Sequence, residues 1–229
     1  RWLYWLFEAK KRYGLVILDY MVTSNHIHLL VVDDSGRESI SKSIQLVAGR
    51  TGQEFNQRKG RVGAFWQDRY HATAVETDDH LHQCIAYIDL NMVRAGVVDH
   101  PSKWPFSGYN EIQNPRERYG LINYNRLLNL VDINSYDDFK VSHRHWTDES
   151  LARGNNVRER SWTEALAVGS KTFVEKVKER LGMKVGGRQV CRNRDRYELR
   201  EPMNSYSVDF DGEKSALRSE NTYVWDINF

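Results

Sequence analysis

The run from residue 20 to residue 32, Tyr-Met-Val-Thr-Ser-Asn-His-Ile-His-Leu-Leu-Val-Val, constrains the fold of this 229-residue chain more than any other segment. Its β-branched and apolar content predicts a β-strand, and successive side chains of a strand point to opposite faces. His26 and His28 therefore share one face, and Ile27 and Leu29 share the other. Two imidazoles two residues apart can bind one divalent ion. An isolated His-apolar-His triplet, however, is more often a pair of partly exposed histidines.

Residues 78–96 carry a second pair of polar side chains. The segment predicts a helix with its own start and stop signals, ending at Gly96. Apolar residues recur at three- and four-residue steps, and Tyr87 and Asn91 stand one turn apart on the flank of this stripe. Tyr87 and Asn91 can therefore serve one site. For an arbitrary helical tyrosine, the ordinary interpretation is a rim residue with its hydroxyl in water.

The order of these features along the chain is specific. The His-apolar-His strand is followed by a basic amphipathic helix, an aromatic-rich strand at residues 65–70, and the motif Tyr-Ile-x-Leu-Asn-x-Val-Arg-Ala-Gly that starts at Tyr87. In this order the chain resembles the REP-associated tyrosine transposases, a branch of the single-tyrosine HUH transposase superfamily. The resemblance covers residues 1–109, with Trp-Pro-Phe-Ser-Gly-Tyr at 104–109 similar to the segment after the catalytic helix in that family. Residues 161–173 are similar to tails of some longer members.

The resemblance implies a metal-dependent DNA strand transferase. Tyr87 would be the nucleophile, His26 and His28 would bind the ion, and Asn91 matches the position of a third ligand. Two imidazoles and an amide oxygen leave positions open for phosphate oxygens and water, as a Mg²⁺ or Mn²⁺ site requires. Attack would give a 5′-phosphotyrosine link and a free 3′-hydroxyl. Because such an ester can be reversed, the implied reaction is cleavage and rejoining of single-stranded or hairpin DNA, such as REP-like elements.

Two alternative functions stay open at this point. A nickase of the replication-initiator or relaxase kind shares the HUH pair, and an inactive or domesticated relative would only bind hairpin DNA. The chain departs from the family at Thr23-Ser24, where Met-Pro is usual, and at Met92, where Pro usually follows the asparagine. These departures remove no reacting group but can change the local backbone geometry. The strand that the family places first is not in the sequence, so we expect a truncated or trimmed chain.

Local clusters of cations indicate DNA contacts more clearly than the net charge of +2 does. Arginine and lysine side chains track phosphates, and aromatic side chains stack on unpaired bases at about 1–3 kcal/mol per base. The alternative is a solvated helix end beside core aromatics, and an arginine near a helix C-terminus is stabilising in any case. The candidate DNA-binding residues are Arg58, Lys59, Arg61, Arg69, Tyr70 and Arg94.

The pattern of elements predicts an α+β fold, a mostly antiparallel sheet backed by helices, which the resemblance identifies as an HUH-type ferredoxin-like core. We expect a helix at residues 1–13, strands at 15–23 and 25–32, and a transposase domain at 1–110. Residues 111–229 would form a C-terminal appendage, partly helical and partly irregular, with possible DNA or protein contacts. Within it we expect a helix at 123–131, irregular structure at 134–156 with His143 and His145 in a loop, and a helical region from Ser161 to Gly182. Residues 186–229 would be extended or disordered.

The remaining features favour a cytoplasmic protein. Cys84 and Cys191 form neither a disulfide framework nor a Cys-x-x-Cys metal motif. The apolar stretch at 14–22 is too short to span a bilayer, and no signal-peptide pattern opens the chain. Related single-tyrosine transposases work as dimers that exchange catalytic helices, whereas some REP-associated members work as monomers. Both a monomer and a homodimer therefore stay open.

Overall fold

The computed structural model describes residues 1–33, 38–67, 69–77, 79–154 and 158–201, and these residues form an α+β fold, as predicted. The helices are α1 (Trp2–Tyr13), α2 (Ser39–Lys59), α3 (Asp79–Asp89), α4 (Asn91–Arg94), α5 (Gly108–Gln113), α6 (Tyr124–Leu130), α7 (Tyr136–Ala152), α8 (Ser161–Glu164) and α9 (Lys171–Leu181). The strands are β1 (Val16–Val22), β2 (Ile27–Val32), β3 (Ala74–Val75), β4 (Ala167–Gly169), β5 (Gln189–Asn193) and β6 (Arg196–Arg200). Short 3₁₀ helices occur at Pro101–Lys103 and Gly182–Val185.

The strands β1 and β2 form an antiparallel hairpin that carries the two histidines. Their register pairs Val22 with Ile27 and Met21 with His28. The turn is held by Thr23, whose backbone N–H donates to His26 O at 3.0 Å and whose hydroxyl donates to the same oxygen at 2.8 Å. These bonds fix His26 in the turn and His28 in the strand, at the same end of the hairpin.

The main core forms around β1. Buried apolar side chains from α1, β1, α6 and α7 meet there, among them Leu6, Ile17, Leu127 and Phe139. Leu121 and Ile122, which precede α6, belong to the same cluster. Side chains from both sides of residue 110 thus form one core, and α7 packs against α3 as well.

A second sheet has the order β3-β4-β6-β5. The pairing of β3 with β4 is parallel, whereas β6 is antiparallel to both β4 and β5. Helix α9 packs on this sheet through Val174, which lies in one buried cluster with Leu199. Because β3 precedes the Tyr87 helix in the chain and the other strands follow residue 166, the sheet joins the end of the described chain to the first part.

The aromatic-rich strand predicted at residues 65–70 is wrong for the residues that the structure describes there, 65–67 and 69–70. Phe65 packs on Phe55 of α2 with ring centroids 4.7 Å apart, and the Trp66 indole N–H donates to Ala48 O at 2.9 Å. These contacts bind the segment to α2, and strand pairing starts only at Ala74. Residue 68 lies outside the described residues.

The irregular structure predicted for residues 134–156 is also wrong, because α7 occupies most of this segment. Ser135 caps the helix by accepting the Asp138 backbone N–H at 3.2 Å. The buried positions of α7 recur every four residues, at Phe139, His143 and Thr147. Because two of these side chains are polar, the sequence shows no apolar periodicity of a helix here. His143 is therefore not a loop residue. Its Nε2 lies 2.7 Å from Asp89 Oδ2 inside the protein.

The helical region predicted from Ser161 to Gly182 is divided in the structure. The short helix α8 and the strand β4 come first, and α9 begins only after Ser170, whose hydroxyl accepts the Phe173 backbone N–H at 3.2 Å. Gly182 ends α9 with a φ of 52°, as predicted. Farther on, the pair β5 and β6 forms a hairpin, while residues 202–229 lie outside the described residues. The predicted helices at 1–13 and 123–131 are confirmed as α1 and α6.

Candidate active site

His26 and His28 lie side by side at the turn end of the hairpin. Their ring centroids are 5.2 Å apart and the rings are nearly perpendicular. His26 Nδ1 lies 2.7 Å from Asn25 Oδ1 and 3.0 Å from the Thr23 hydroxyl. If Nδ1 carries the proton, it donates to Asn25 Oδ1, and the lone pair for a cation is on Nε2 of His26. The turn residues thus orient this imidazole in the way that outer partners orient metal-binding histidines.

The predicted helix at 78–96 forms as two consecutive segments. Leu90, with φ of −79° and ψ of 5°, separates α3 from α4. Backbone hydrogen bonds nevertheless cross the junction, from Leu90 N to Ala86 O at 3.0 Å and from Arg94 N to Leu90 O at 2.9 Å. Tyr87 and Asn91 therefore stay close to one turn apart. Residue 78 lies outside the described residues.

Asn91 brings an amide group to the histidine pair. Its Nδ2 donates to His28 Nε2 at 3.0 Å, while its Oδ1 is buried without a hydrogen-bond partner among the described residues. A buried acceptor without a partner is unusual, and a 180° rotation of the amide would turn this oxygen toward the imidazole. An oxygen and two imidazole nitrogens form a donor set for a divalent ion. The fit depends on the amide, because the described residues contain no cluster of three His, Cys, Asp or Glu side chains that could hold a metal.

The environment keeps both imidazoles neutral. Burial lowers the pKa of His28 to about 4, with further lowering by His26, Arg94 and Arg158. Burial also lowers the pKa of His26, although the nearby Asn91 side chain opposes this shift. Metal binding requires the neutral imidazole, so at neutral pH both side chains are in the form that binds a cation.

Tyr87 lies beside the histidines. Its side chain is buried, and its ring centroid is 6.1 Å from that of His28. The guanidinium carbon of Arg94 lies 3.8 Å from the Tyr87 ring centroid. Burial raises the pKa of the phenol, whereas the charges of Arg94 and Arg158 oppose this shift. The phenol is therefore protonated at neutral pH and has two arginines in its environment.

The other candidate DNA-binding residues lie on exposed surface. Arg58 and Lys59 end α2, and Arg61 follows them. The guanidinium carbons of Arg58 and Arg61 lie 5.9 and 5.7 Å from the Phe55 ring centroid. Arg69 and Tyr70 are exposed in the segment before β3. Arg94 differs from all of these because it lies against the Tyr87 ring.

Two site residues were missed by the sequence analysis. Trp162 of α8 is buried with its ring centroid 6.2 Å from that of Tyr87. Arg158 contributes charge to the pKa values of His26, His28 and Tyr87. The chain offers no local signal for either contact, since both join segments that are far apart in sequence.

Comparison with known proteins gives a family match for the first part of the chain. Residues 2–91 match the model of a family described as "Transposase IS200 like", and this match includes His26, His28, Tyr87 and Asn91. Searches of curated proteins and of solved structures found no significant match. Among the described residues, no helix has both the length and the apolar character needed to cross a membrane. Over residues 2–91, this chain is therefore similar to the IS200-like transposases, a single-tyrosine HUH transposase family.

Proposed function

We propose that this protein cleaves and rejoins single-stranded or hairpin DNA through a 5′-phosphotyrosine at Tyr87, with a divalent ion bound by His26, His28 and Asn91. The observation that carries the proposal is the meeting of two neutral imidazoles, a buried amide oxygen without a partner, and a tyrosine ring. The family match supports the transposase part of the proposal. We further assign the protein to the REP-associated branch, on the order of motifs in residues 1–109.

The donor set fits Mg²⁺ or Mn²⁺. Such an ion supplies Lewis acidity, which polarises the scissile phosphate and neutralises negative charge in the transition state. Asn25 and Thr23 contact Nδ1 of the His26 ring. These contacts fix the orientation of the ring and therefore the direction of its Nε2 atom. The Asn91 amide, next to His28, supplies the oxygen after rotation.

Tyr87 performs the transfer in this proposal. Its phenol oxygen forms a bond to phosphorus while the bond between phosphorus and the 3′ oxygen breaks. The phenol loses its proton and the 3′ oxygen gains one, so a 5′-phosphotyrosyl ester and a 3′-hydroxyl result. Arg94, against the ring, favours the anionic phenol, because its charge lowers a pKa that burial raises. The ester can be attacked by another 3′-hydroxyl, which makes rejoining possible.

The exposed cations would bind the DNA backbone. In the proposal, phosphates are contacted by Arg58, Lys59, Arg61 and Arg69, and Tyr70 stacks on an unpaired base. Tyr70 is 56% exposed, so its ring is available for stacking. Arg94 lies beside the nucleophile and would contact the phosphate that reacts.

The test is formation of a covalent adduct. The protein is incubated with labelled hairpin-bearing single-stranded DNA and Mg²⁺ or Mn²⁺ and analysed on a denaturing gel. We expect an adduct with the wild-type protein, and none with Tyr87→Phe, with His28→Ala, or after chelation of the metal. Tyr4→Phe and His145→Ala are matched controls, because both side chains are exposed, at 49% and 68%, and neither belongs to the site.

Two other outcomes favour the alternative functions. Tight hairpin binding that needs no metal and gives no adduct would identify a passive DNA-binding relative. An adduct that forms but does not transfer its DNA to a second 3′-hydroxyl would identify a nickase. Only an adduct that is also rejoined supports the transposase mechanism.

A further inference from the structure

The Tyr87 ring has a close neighbour from outside the part of the chain that matches the family. The ring of Trp162 lies 6.2 Å from it, centroid to centroid, with the two planes inclined by 39°. This distance is within the range of interacting aromatic pairs. Both side chains are more than nine-tenths buried and belong to one apolar cluster, together with Met21 and Ile88.

Trp162 also contacts a residue near the end of the described chain, Arg196. The guanidinium carbon of Arg196, on β6, lies 4.9 Å from the Trp162 ring centroid. Arg196 is 6% exposed, forms an ion pair with Glu159, and donates to Gln83 Oε1 at 3.2 Å. Because Gln83 is one turn before Tyr87 on α3, one buried arginine connects Trp162 to the helix that bears Tyr87.

A buried polar cluster fixes the start of α8. The hydroxyl of Ser161, next to Trp162, donates to Glu198 Oε1 at 2.6 Å, and Asn193 Nδ2 donates to the same oxygen at 2.6 Å. The side chain of Glu198 is fully buried. These bonds connect the start of α8 to β5 and β6, and breaking one of them would leave a polar group unsatisfied in a medium of low dielectric constant. The residue next to Trp162 is therefore hydrogen-bonded to the second sheet.

We propose that Trp162, held by Arg196, is a positioning residue for Tyr87. The proposal rests on the proposed role of Tyr87 as nucleophile. Trp162 limits the positions of the phenol ring, so that its oxygen meets the phosphate in line with the leaving 3′ oxygen. A nucleophile misplaced by about 1 Å reacts up to about 100-fold more slowly. Trp162 and Arg196 then belong to the active site, although the family match ends at residue 91.

The first test separates positioning from DNA binding. With Trp162→Leu, we expect the rate constant for adduct formation at saturating DNA to fall by roughly 10- to 100-fold. The dissociation constant for the DNA should not change, and Trp162→Phe, which keeps an aromatic ring, should recover most of the rate. The matched control is Trp146→Leu. Trp146 of α7 is partly buried, and its ring stacks on that of His82 in α3, the Tyr87 helix, with centroids 4.1 Å apart; its loss should reduce stability without changing the rate.

The second test needs no DNA cleavage. Tyrosines are replaced by fluorotyrosine, and the ¹⁹F resonance of residue 87 is assigned by its absence in Tyr87→Phe. Trp162→Leu should shift this resonance, because the ring current of the indole is lost, whereas Trp146→Leu should leave it unchanged. A resonance that does not respond to Trp162→Leu overturns the proposal.

Further outcomes distinguish this proposal from the proposed function. A wild-type adduct whose rate is unchanged in Trp162→Leu contradicts the positioning role alone. A faster rate in Trp162→Leu also overturns it, because Trp162 would then obstruct Tyr87. A wild-type protein that forms no adduct with any hairpin DNA contradicts the proposed function itself.

Discussion

At the scale of single residues, the proposed metal site depends on Asn91. His26 and His28 alone are a weak signal, since such pairs are often ordinary partly exposed side chains. The structure adds an amide hydrogen-bonded to His28 whose buried oxygen has no partner among the described residues. The spacing of Tyr87 and Asn91 was predictable from helical periodicity, but the hydrogen bond from Asn91 to the strand was not, because it joins segments far apart in the chain.

The affinity for Mn²⁺ tests the role of Asn91 directly. Loss of an outer partner of a metal ligand already weakens binding by about 10- to 100-fold, so Asn91→Ala should weaken it by at least that much. Asn91→Asp keeps an oxygen at this position and adds negative charge, and should bind at least as tightly as the wild type. Free Mn²⁺ is measured by electron paramagnetic resonance, with the exposed Asn129→Ala as control. Equal affinity in Asn91→Ala and Asn129→Ala would contradict the assignment.

We expect the buried carboxyl of Asp19 to make the free energy of unfolding depend on pH. Its Oδ1 accepts the Tyr20 backbone N–H at 2.8 Å, and its Oδ2 is buried without a partner among the described residues. Burial, with the nearby charges of Asp89 and Glu111, raises its pKa well above 3.8. Since the unfolded chain releases this proton at lower pH than the folded chain does, the contribution of Asp19 to stability falls as pH rises above the unfolded pKa.

Asp19→Asn removes this titration and keeps an acceptor for Tyr20. We therefore expect the free energy of unfolding of the variant, minus that of the wild type, to be larger at pH 8 than at pH 5, because only the wild type loses stability as pH rises. Urea denaturation at both pH values measures the two differences. A difference that is the same at pH 5 and pH 8 would show that the carboxyl has the same pKa in both states.

At the scale of elements, the sequence predicted α1, α6, β1 and β2 correctly. The histidine strand was predicted from its β-branched and apolar content, which is a local property of the chain. α7 was missed because His143 and Thr147 occupy buried positions, and polar residues there hide the period. The predicted strand at 65–70 was wrong because aromatic side chains that favour strands instead pack on a helix.

Gly108, the first residue of α5, tests the packing of this helix on β1. A Cβ atom at this position would lie 1.9 Å from Asp19 Oδ1 and 3.0 Å from the Tyr20 backbone nitrogen. Gly108→Ala must therefore displace α5 or the strand, and we expect a loss of about 1–3 kcal/mol in the free energy of unfolding. Gly49→Ala in α2 is the control: nothing lies within 4 Å of its Cβ, and it should stabilise by about 0.5–1 kcal/mol. Equal effects of both substitutions would contradict the packing described for α5.

At the scale of the whole molecule, the candidate active site packs against parts of the chain that the family match does not include. The core under the histidine hairpin contains side chains from α6 and α7, and Asp89 of α3 lies 2.7 Å from His143 of α7. The second sheet joins β3 to strands beyond residue 166. No sequence pattern predicted these contacts, because they pair distant segments through single side chains and a two-residue strand.

Phe139→Ala tests this interdependence. Phe139 is fully buried in α7, and its truncation should lower the free energy of unfolding by about 3–5 kcal/mol. Since α1, β1 and α7 share one core, urea transitions followed by circular dichroism and by tryptophan fluorescence should shift together. If only a fraction of the circular dichroism or fluorescence change moved to lower urea concentration, the segments before and after residue 110 would unfold independently.

The most direct test of the central claim is to identify the amino acid that carries DNA. The adduct formed with Mn²⁺ is digested with nuclease and trypsin, and the modified peptide is sequenced by mass spectrometry. Cleavage after Arg69 and Arg94 gives one peptide that contains both Tyr70 and Tyr87, so fragment ions must locate the nucleotide. We predict a nucleotide joined through its 5′-phosphate to Tyr87. A nucleotide on Tyr70 or on any other residue would contradict the assignment of Tyr87 as the nucleophile.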